Sequence, residues 1–304
     1  MVSTLTLPAH AKINLSLRVL SKREDGYHEL DTVFQTVSLH DIIRISALEN
    51  SEIAFSCDDG SLPADSHNLV VRAATALRDQ VNPKKGARIR LEKRIPTHAG
   101  LGGGSSDAAA TLVGLARLWE LRTSRRELSE LATRLGADVP FFLDGGTARG
   151  TGIGDRLEPL EDALETFLLI VKPQANISTA DAYKALDQRT LTSSNSKTIL
   201  SRSNAEGFFD NQYVASLQND FGPVAFALAP EIGRAKVALE RAGARAVLLA
   251  GSGSAVFGIF DSENAQRRAI QTIELETGWR VFPCKTVGRE RYQAALYSVS
   301  DAGV

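Results

Sequence analysis

The sequence predicts an α+β fold in two domains, and three observations lead there. The chain has 304 residues, more than a single hydrophobic core usually serves. Strand-type alternation and helix-type spacing both recur along it. They do not follow one another in the strict strand–helix order of a doubly wound sheet. We place the division between 163 and 164, giving domains 1–163 and 164–304.

In chain order, "KINLSLRVL" alternates, with Ile13, Leu15, Leu17 and Val19 on one face and Lys12, Asn14, Ser16 and Arg18 on the other. That spacing predicts a half-buried strand. "DIIRISAL" and "EIAFSC" read as further strands. "SHNLVVRAATALRDQV" repeats apolar residues at 70, 73, 74, 77 and 81, which is one face of a helix. "GARIRLEKRI" alternates again through Ala87, Ile89 and Leu91. Beyond a glycine-rich stretch, Leu112, Leu115, Ala116 and Trp119 keep helical spacing. "SRRELSELATRLG" opens with a capping box, Ser124 to Glu127, and closes at Gly136 as a C-terminal cap. "DVPFFLDGGTARGTGIGDRLEPL" reads as glycine-rich turns.

The second half opens with "TFLLIVKP", a buried strand stopped by Pro173. Residues 190–207 are polar and weakly patterned, the signature of a long loop. "EIGRAKVALERAGA" predicts a helix closed by Gly243. "RAVLLAGSGSAVFGIF" is two apolar runs around a glycine–serine turn, "SENAQRRAIQTIELETG" a helix and "WRVFPCKTV" a final strand.

A formal net charge of -1 provides no basic field, so neither nucleic acid nor an anionic membrane is an expected partner. The start lacks a basic segment followed by an apolar core, and no apolar run approaches a membrane span. Cys57 and Cys284 lie far apart, and His10, His28, His40, His67 and His98 show no ligand spacing. A reducing, cytoplasmic setting and no structural metal are expected.

The chemistry concentrates in "RIPTHAGLGGGSSDAAATLVGLARLW". Gly100, Gly102, Gly103 and Gly104 precede Ser105 and Ser106, and a helical pattern follows at once. A helix start leaves unpaired N–H groups and a partial positive charge, which together attract phosphate. Glycines let the backbone approach the anion with no Cβ between them. Ser105 and Ser106 can cap the helix, donate to phosphate or ligate a phosphate-bound Mg²⁺. A flexible loop with a serine cap would need fewer glycines. No Gly-Lys pair exists for a Walker loop, and the dinucleotide pattern fails at Ser105.

"PTHAGLGGGSSDAA" resembles the ATP-binding motif of the GHMP kinases, and its doubled glycine form is similar to the branch that phosphorylates a cytidine diphosphate-linked alcohol. "PAHAKINLSLRV", "DGYHELDTVFQTVSLHD" and "LLAGSGSAVFGIF" resemble further motifs of that superfamily. His98 stands where relatives carry a small residue, and Ala9 and His10 separate Pro8 from Ala11. The resemblance implies a ribosomal-protein-like amino-terminal domain and a ferredoxin-like carboxy-terminal one. It implies ATP with Mg²⁺ as cofactors and a small-molecule cytidine diphosphate substrate bound between the domains.

From position alone, Lys12 reads as an exposed lysine and Asp138 as an N-cap before Pro140. The resemblance instead implies that Asp138 is the catalytic base and Lys12 its cationic partner, with Asn14 beside it on the substrate side. It implies that Pro96, Thr97, His98, Ala99, Leu101 and the glycines and serines already named hold ATP, with Asn68 and Lys93 near the ATP base. Tyr27 and His28 could be a strand end with a packed tyrosine. By resemblance they form a cytosine site, with Tyr183 as second aromatic wall and Thr179 as polar contact. Two other readings stay open: a different small-alcohol kinase of the superfamily, and a non-catalytic nucleotide-binding regulator.

Overall fold

The computed structural model describes residues 4–81, 84–188, 214 and 217–297. The polar stretch 190–207 lies outside the described residues.

The first half is a sheet covered by helices. Its strands are β1 (Thr4–Lys22), β2 (His28–Leu48), β3 (Ile53–Cys57), β4 (Gly86–Glu92), β5 (Thr147–Gly152) and β6 (Arg156–Pro159). They run in the order β3-β4-β2-β5-β6, with β1 also paired to β2. Only β3 and β4 pair in parallel. The short helix that Asp138 and Pro140 suggest is α4 (Phe141–Asp144), and the stretch read as glycine-rich turns supplies β5 and β6. Its glycines hid the alternation, because a strand is recognised by side chains that glycine lacks.

Helices α1 (Leu69–Val81), α2 (Gly103–Leu118) and α3 (Arg125–Leu135) form the covering layer. Val70, Ala73, Ala74 and Leu77 are buried on α1, as their spacing predicts. Helix α2 is buried all round from Ser106 to Leu115, the polar Ser106, Asp107 and Thr111 included. An alanine-rich helix of this kind forms readily and packs close. Leu112 and Leu115 are fully enclosed, each stabilising the fold by about 1.5–3 kcal/mol. The capping box at Ser124 and Glu127 is present. Gly136 caps α3 as expected, in extended backbone at φ 169.

The second half is a four-stranded antiparallel sheet of β7 (Phe167–Lys172), β8 (Ala246–Leu249), β9 (Val256–Phe260) and β10 (Arg280–Lys285). Its order is β10-β7-β9-β8, the split βαβ arrangement of ferredoxin-like units. Helices α5 (Thr179–Asp187), α6 (Gly222–Leu228), α7 (Pro230–Arg241) and α8 (Glu263–Thr272) accompany it, and α9 (Arg289–Tyr297) ends the described chain. Gly243, at φ 91, follows α7 as its spacing predicts. Helices α5, α6 and α9 are additions to the sequence expectation. Helix α9 returns to the first half, where Tyr292 is buried in the core beside Phe142 and its hydroxyl donates to the Phe142 carbonyl.

Strand β1 links these layers. Leu7 and Ala9 pack in the core beneath α1 and α2, whereas Ala11, Ile13 and Leu15 pack with Ile170 and Phe257 of the second sheet. The register with β2 shifts between His10 and Lys12, and again between Asn14 and Ser16. Such irregularities re-aim side chains. The polar alternates Lys12, Asn14, Ser16 and Arg18 are therefore buried, not solvated as a half-buried strand would leave them.

Among the described residues, no helix is long and apolar enough to cross a membrane.

Candidate active site

The glycine stretch becomes a tight loop entering α2. Gly102 precedes the helix in left-handed backbone, at φ 69, and no side chain caps it. The loop is close-packed as well as left-handed. A Cβ on Gly102 would lie 2.8 Å from the Phe142 ring and 3.1 Å from Lys12 Cγ. One on Gly100, at φ 75, would meet the Ala250 carbonyl at 1.9 Å. Ser105 and Ser106 do not cap the helix; both lie within its first turn. Ser106 is buried, and its hydroxyl has no hydrogen-bond partner among the described residues. The loop thus presents uncapped amides and an unused hydroxyl at a helix start, a surface suited to phosphate oxygens.

The turn between β8 and β9 locks the loop in place. Ser254 N–H and Ala255 N–H donate to the carbonyls of His98 and Ala99 at 3.3 and 3.2 Å. His98 itself adopts φ 51. Asn219 holds that turn from behind, its amide donating to the carbonyls of Leu249 and Gly251 at 2.8 and 2.7 Å.

Lys12 reaches the loop from β1, its own N–H donating to the Leu101 carbonyl at 3.0 Å. Its ammonium lies 3.3 Å from Asp138 Oδ2, donates to Asn14 Oδ1 at 2.9 Å and sits 5.0 Å from the centre of the Phe34 ring. Asn14 passes the chain on to Thr32 Oγ1 at 2.7 Å. The lysine side chain is 6% exposed, and the Asp138 side chain 33%. A buried ammonium thus stands beside an accessible carboxylate oxygen, a geometry in which a hydroxyl entering the cleft could meet both groups. Asp138 is not an N-cap, because α4 begins later, with Pro140 in the capping place.

These groups line a cleft of about 870 Å³ that also holds Gly100, Gly102, Ser105 and the far wall of Tyr27, His28 and Tyr183. A second hollow of about 490 Å³ adjoins it, lined by residues 96–105 together with Asn68, Lys93 and Asp107. The two share Gly100, Gly102, Ser105 and Thr179. Thr179 Oγ1 lies 3.2 Å from Ser252 Oγ.

In the second hollow, Asn68 and Lys93 already have partners. Asn68 Oδ1 accepts the Val70 N–H at 2.9 Å, capping α1, and its Nδ2 donates to the Pro63 carbonyl. Lys93 Nζ pairs with Asp41 and with Asp107 Oδ2, the latter at 2.9 Å. Burial raises the Asp107 carboxyl to about 8, although Lys93 opposes the shift. Lys93 therefore places its charge beneath Gly103, whose Cβ would lie 2.9 Å from the ammonium.

At the far wall, Tyr27 is 61% exposed and not packed. His28 is buried and stacks on Tyr183, with ring centres 4.8 Å apart and planes 25° apart. Tyr183 in turn meets Phe221 edge-on at 4.8 Å. Burial, and then the charge of Asp138, pushes the Tyr183 phenol up to about 12, so it stays neutral. Phe34, Phe221 and Asp187 are site residues that sequence reasoning missed. Phe34 lies within the quoted "DGYHELDTVFQTVSLHD" stretch but reads there as one more apolar strand residue, and Phe221 and Asp187 come from segments outside the quoted motifs.

Comparison with known proteins fits this geometry. The profile described as "GHMP kinases N terminal domain" matches residues 68–146, and "GHMP kinases C terminal" matches 201–276. A protein of Syntrophotalea carbinolica named 4-diphosphocytidyl-2-C-methyl-D-erythritol kinase is 42% identical over 279 residues, covering 92% of this chain and 98% of its own. The chain belongs to the GHMP kinases. Another relative of this kinase, from Bacillus cereus and bearing the same name, is 40% identical over 87% of the chain and 91% of its own. The crystal structure of a 4-(cytidine 5'-diphospho)-2C-methyl-D-erythritol kinase superposes with a TM-score of 0.76 at 33% identity, covering 93% of this chain and 100% of that one. A homoserine kinase from Cytophaga hutchinsonii shares the fold, at a TM-score of 0.71 and 20% identity, over 95% of this chain and 96% of its own. As a kinase of this family the protein uses ATP.

Proposed function

We propose that this GHMP kinase transfers the γ-phosphate of ATP to the C2 hydroxyl of 4-diphosphocytidyl-2-C-methyl-D-erythritol, in the non-mevalonate route to isoprenoid precursors. The observation that carries the reading is one cleft lined by three parts: a glycine loop, the Lys12–Asp138 pair at 3.3 Å, and an aromatic wall. The relatives' names point to the same substrate.

In this reading the loop amides of residues 102–105 hold the triphosphate, which occupies the smaller hollow along residues 96–104. Asp138 accepts the hydroxyl proton as the new oxygen–phosphorus bond forms and the bond to ADP breaks. Lys12 orients the hydroxyl and offsets the negative charge that develops. Asn14 holds Lys12 in place. Tyr27, His28 and Tyr183 take the cytosine, with Thr179 near the join between the two hollows.

Mg²⁺ belongs to this proposal. The buried, unpartnered hydroxyl of Ser106 fits an ion otherwise held by phosphate oxygens, and such an ion would neutralise charge on the transferring group. The domain division at 163/164 is also proposed, supported by the first sheet ending at Pro159 and the second beginning at Phe167. So is a cytoplasmic location, supported by free thiols at Cys57 and Cys284.

A coupled ADP-release assay tests the reading. The cytidine substrate, mevalonate, homoserine and galactose are each supplied with ATP. Turnover is expected with the cytidine compound alone. Comparable turnover of another alcohol would assign the chain to a different branch, and none with any would leave a nucleotide-binding regulator.

A further inference from the structure

Helix α5 carries Thr179, Tyr183 and Asp187 at successive four-residue steps, so the three share one face. That face runs the length of the cleft. Thr179 touches Ser252 beside the glycine loop, Tyr183 stacks on His28, and Asp187 reaches His28 itself. Asp187 Oδ1 lies 2.6 Å from His28 Nε2, and Oδ2 accepts from Lys22 Nζ at 2.5 Å. Both carboxylate oxygens are therefore engaged, by groups from the two ends of the β1–β2 connection.

A carboxylate can only accept, so His28 Nε2 carries the hydrogen. In the neutral ring Nδ1 is then a bare acceptor. Nδ1 has no hydrogen-bond partner among the described residues, and His28 lines the cleft. An acceptor at this place suits a base edge that offers an amine and repels one that offers a carbonyl. Cytosine and uracil differ in just this group.

We infer that Asp187 is a positioning residue that sets the His28 tautomer and so makes the site select an amino-bearing pyrimidine over its carbonyl counterpart. The inference rests on the reading of this wall as a base site, given above. Lys22 is part of the device. It occupies the second carboxylate oxygen and leaves His28 Nε2–H as the partner of the first. Exchanging the carboxylate for an amide changes the outcome. With Lys22 holding the amide oxygen, the amide nitrogen donates to Nε2, and the histidine hydrogen moves to Nδ1.

The test compares the full chain with its Asp187→Asn and Asp187→Glu variants. A non-hydrolysable ATP analogue fills the glycine-loop end. Affinities for CDP and UDP are then measured by calorimetry, and the His28 tautomer is read from its ring ¹⁵N shifts. We expect the unaltered protein to bind CDP at least tenfold better than UDP, with the hydrogen on Nε2. Asp187→Asn should move the hydrogen to Nδ1 and shrink the CDP-to-UDP ratio at least tenfold, leaving affinity for the ATP analogue unchanged. Asp187→Glu should restore part of the ratio. A merely structural role would weaken both nucleotides together and leave their ratio intact, which would overturn the inference. So would equal binding of CDP and UDP by the unaltered protein, even if the kinase assay succeeds. Selective CDP binding without phosphate transfer would sink the kinase reading and support this one.

Discussion

The two ends of the cleft are built differently. At the glycine-loop end, proposed to hold phosphate, the backbone does the work: Gly100 and Gly102 adopt left-handed conformations at spots where a Cβ would strike Ala250 or Phe142. At the base end side chains do it, and they come from β2, α5 and α6 with its preceding turn: His28, Tyr183, Asp187 and Phe221. Backbone conformation is a local demand and leaves a local mark in the sequence. A wall assembled from distant side chains leaves no local mark of that kind: Tyr27, His28 and Tyr183 are legible through resemblance alone, and Phe221 and Asp187 not at all.

If the ends are separate binding units joined at Lys12 and Asp138, variants should divide accordingly. The largest effect belongs to the junction. Asp138→Asn should lower turnover by roughly 10²–10⁴ while calorimetry finds ATP affinity nearly unchanged. Near-normal turnover would remove Asp138 from the mechanism.

Next come paired variants at the two ends. Tyr183→Ala removes a stacking surface worth about 1–3 kcal/mol per base, so the Michaelis constant for the cytidine substrate should rise about tenfold and that for ATP little. Gly102→Ala should do the reverse. It forces a Cβ to 2.8 Å from Phe142 at a positive φ, a backbone conformation that costs about 1–2 kcal/mol. Steady-state kinetics with each substrate varied decides the matter. Equal effects of either variant on both substrates would break the division.

The smallest effect lies outside both ends and serves as a control. His10 is buried on β1 against His40 and Tyr292, near Arg291. Burial lowers its pKa from 6.5 to about 4, opposed by its hydrogen bond to the Val37 carbonyl and helped by the charge of Arg291. Between those values the unfolded chain binds the proton and the folded chain does not, so stability falls as pH drops through this window. At pH 5 the loss is about 2 kcal/mol. Urea midpoints at pH 7 and pH 5 should separate accordingly, and His10→Gln should reduce the separation. The substrate selectivity of the ends should not follow it.

The phosphate loop was legible because four glycines before an alanine-rich helix have few other uses. Lys12 and Asp138 were legible only through resemblance. In the strand pattern Lys12 was one polar alternate among four, and nothing local marked it as buried. The register shifts at His10/Lys12 and Asn14/Ser16 were invisible, since they depend on pairing with β2. Strands β5 and β6 have the sequence of turns, because their glycines carry no alternation. Helix α5 escaped notice although Ser178 caps it through the Asp181 N–H, a short helix giving little periodicity to read.

The sequence by itself determined the glycine-rich helix start, the α+β content and most element positions. These follow from dihedral freedom, capping and periodicity, which act between residues a few positions apart. Only the tertiary structure decided that Lys12 is buried beside Asp138, that Lys93 is held by two aspartates and that Asp187 faces His28. Each of these is a meeting of side chains separated by 14 to 159 positions or so, and such meetings depend on how the sheets and helices pack as a whole.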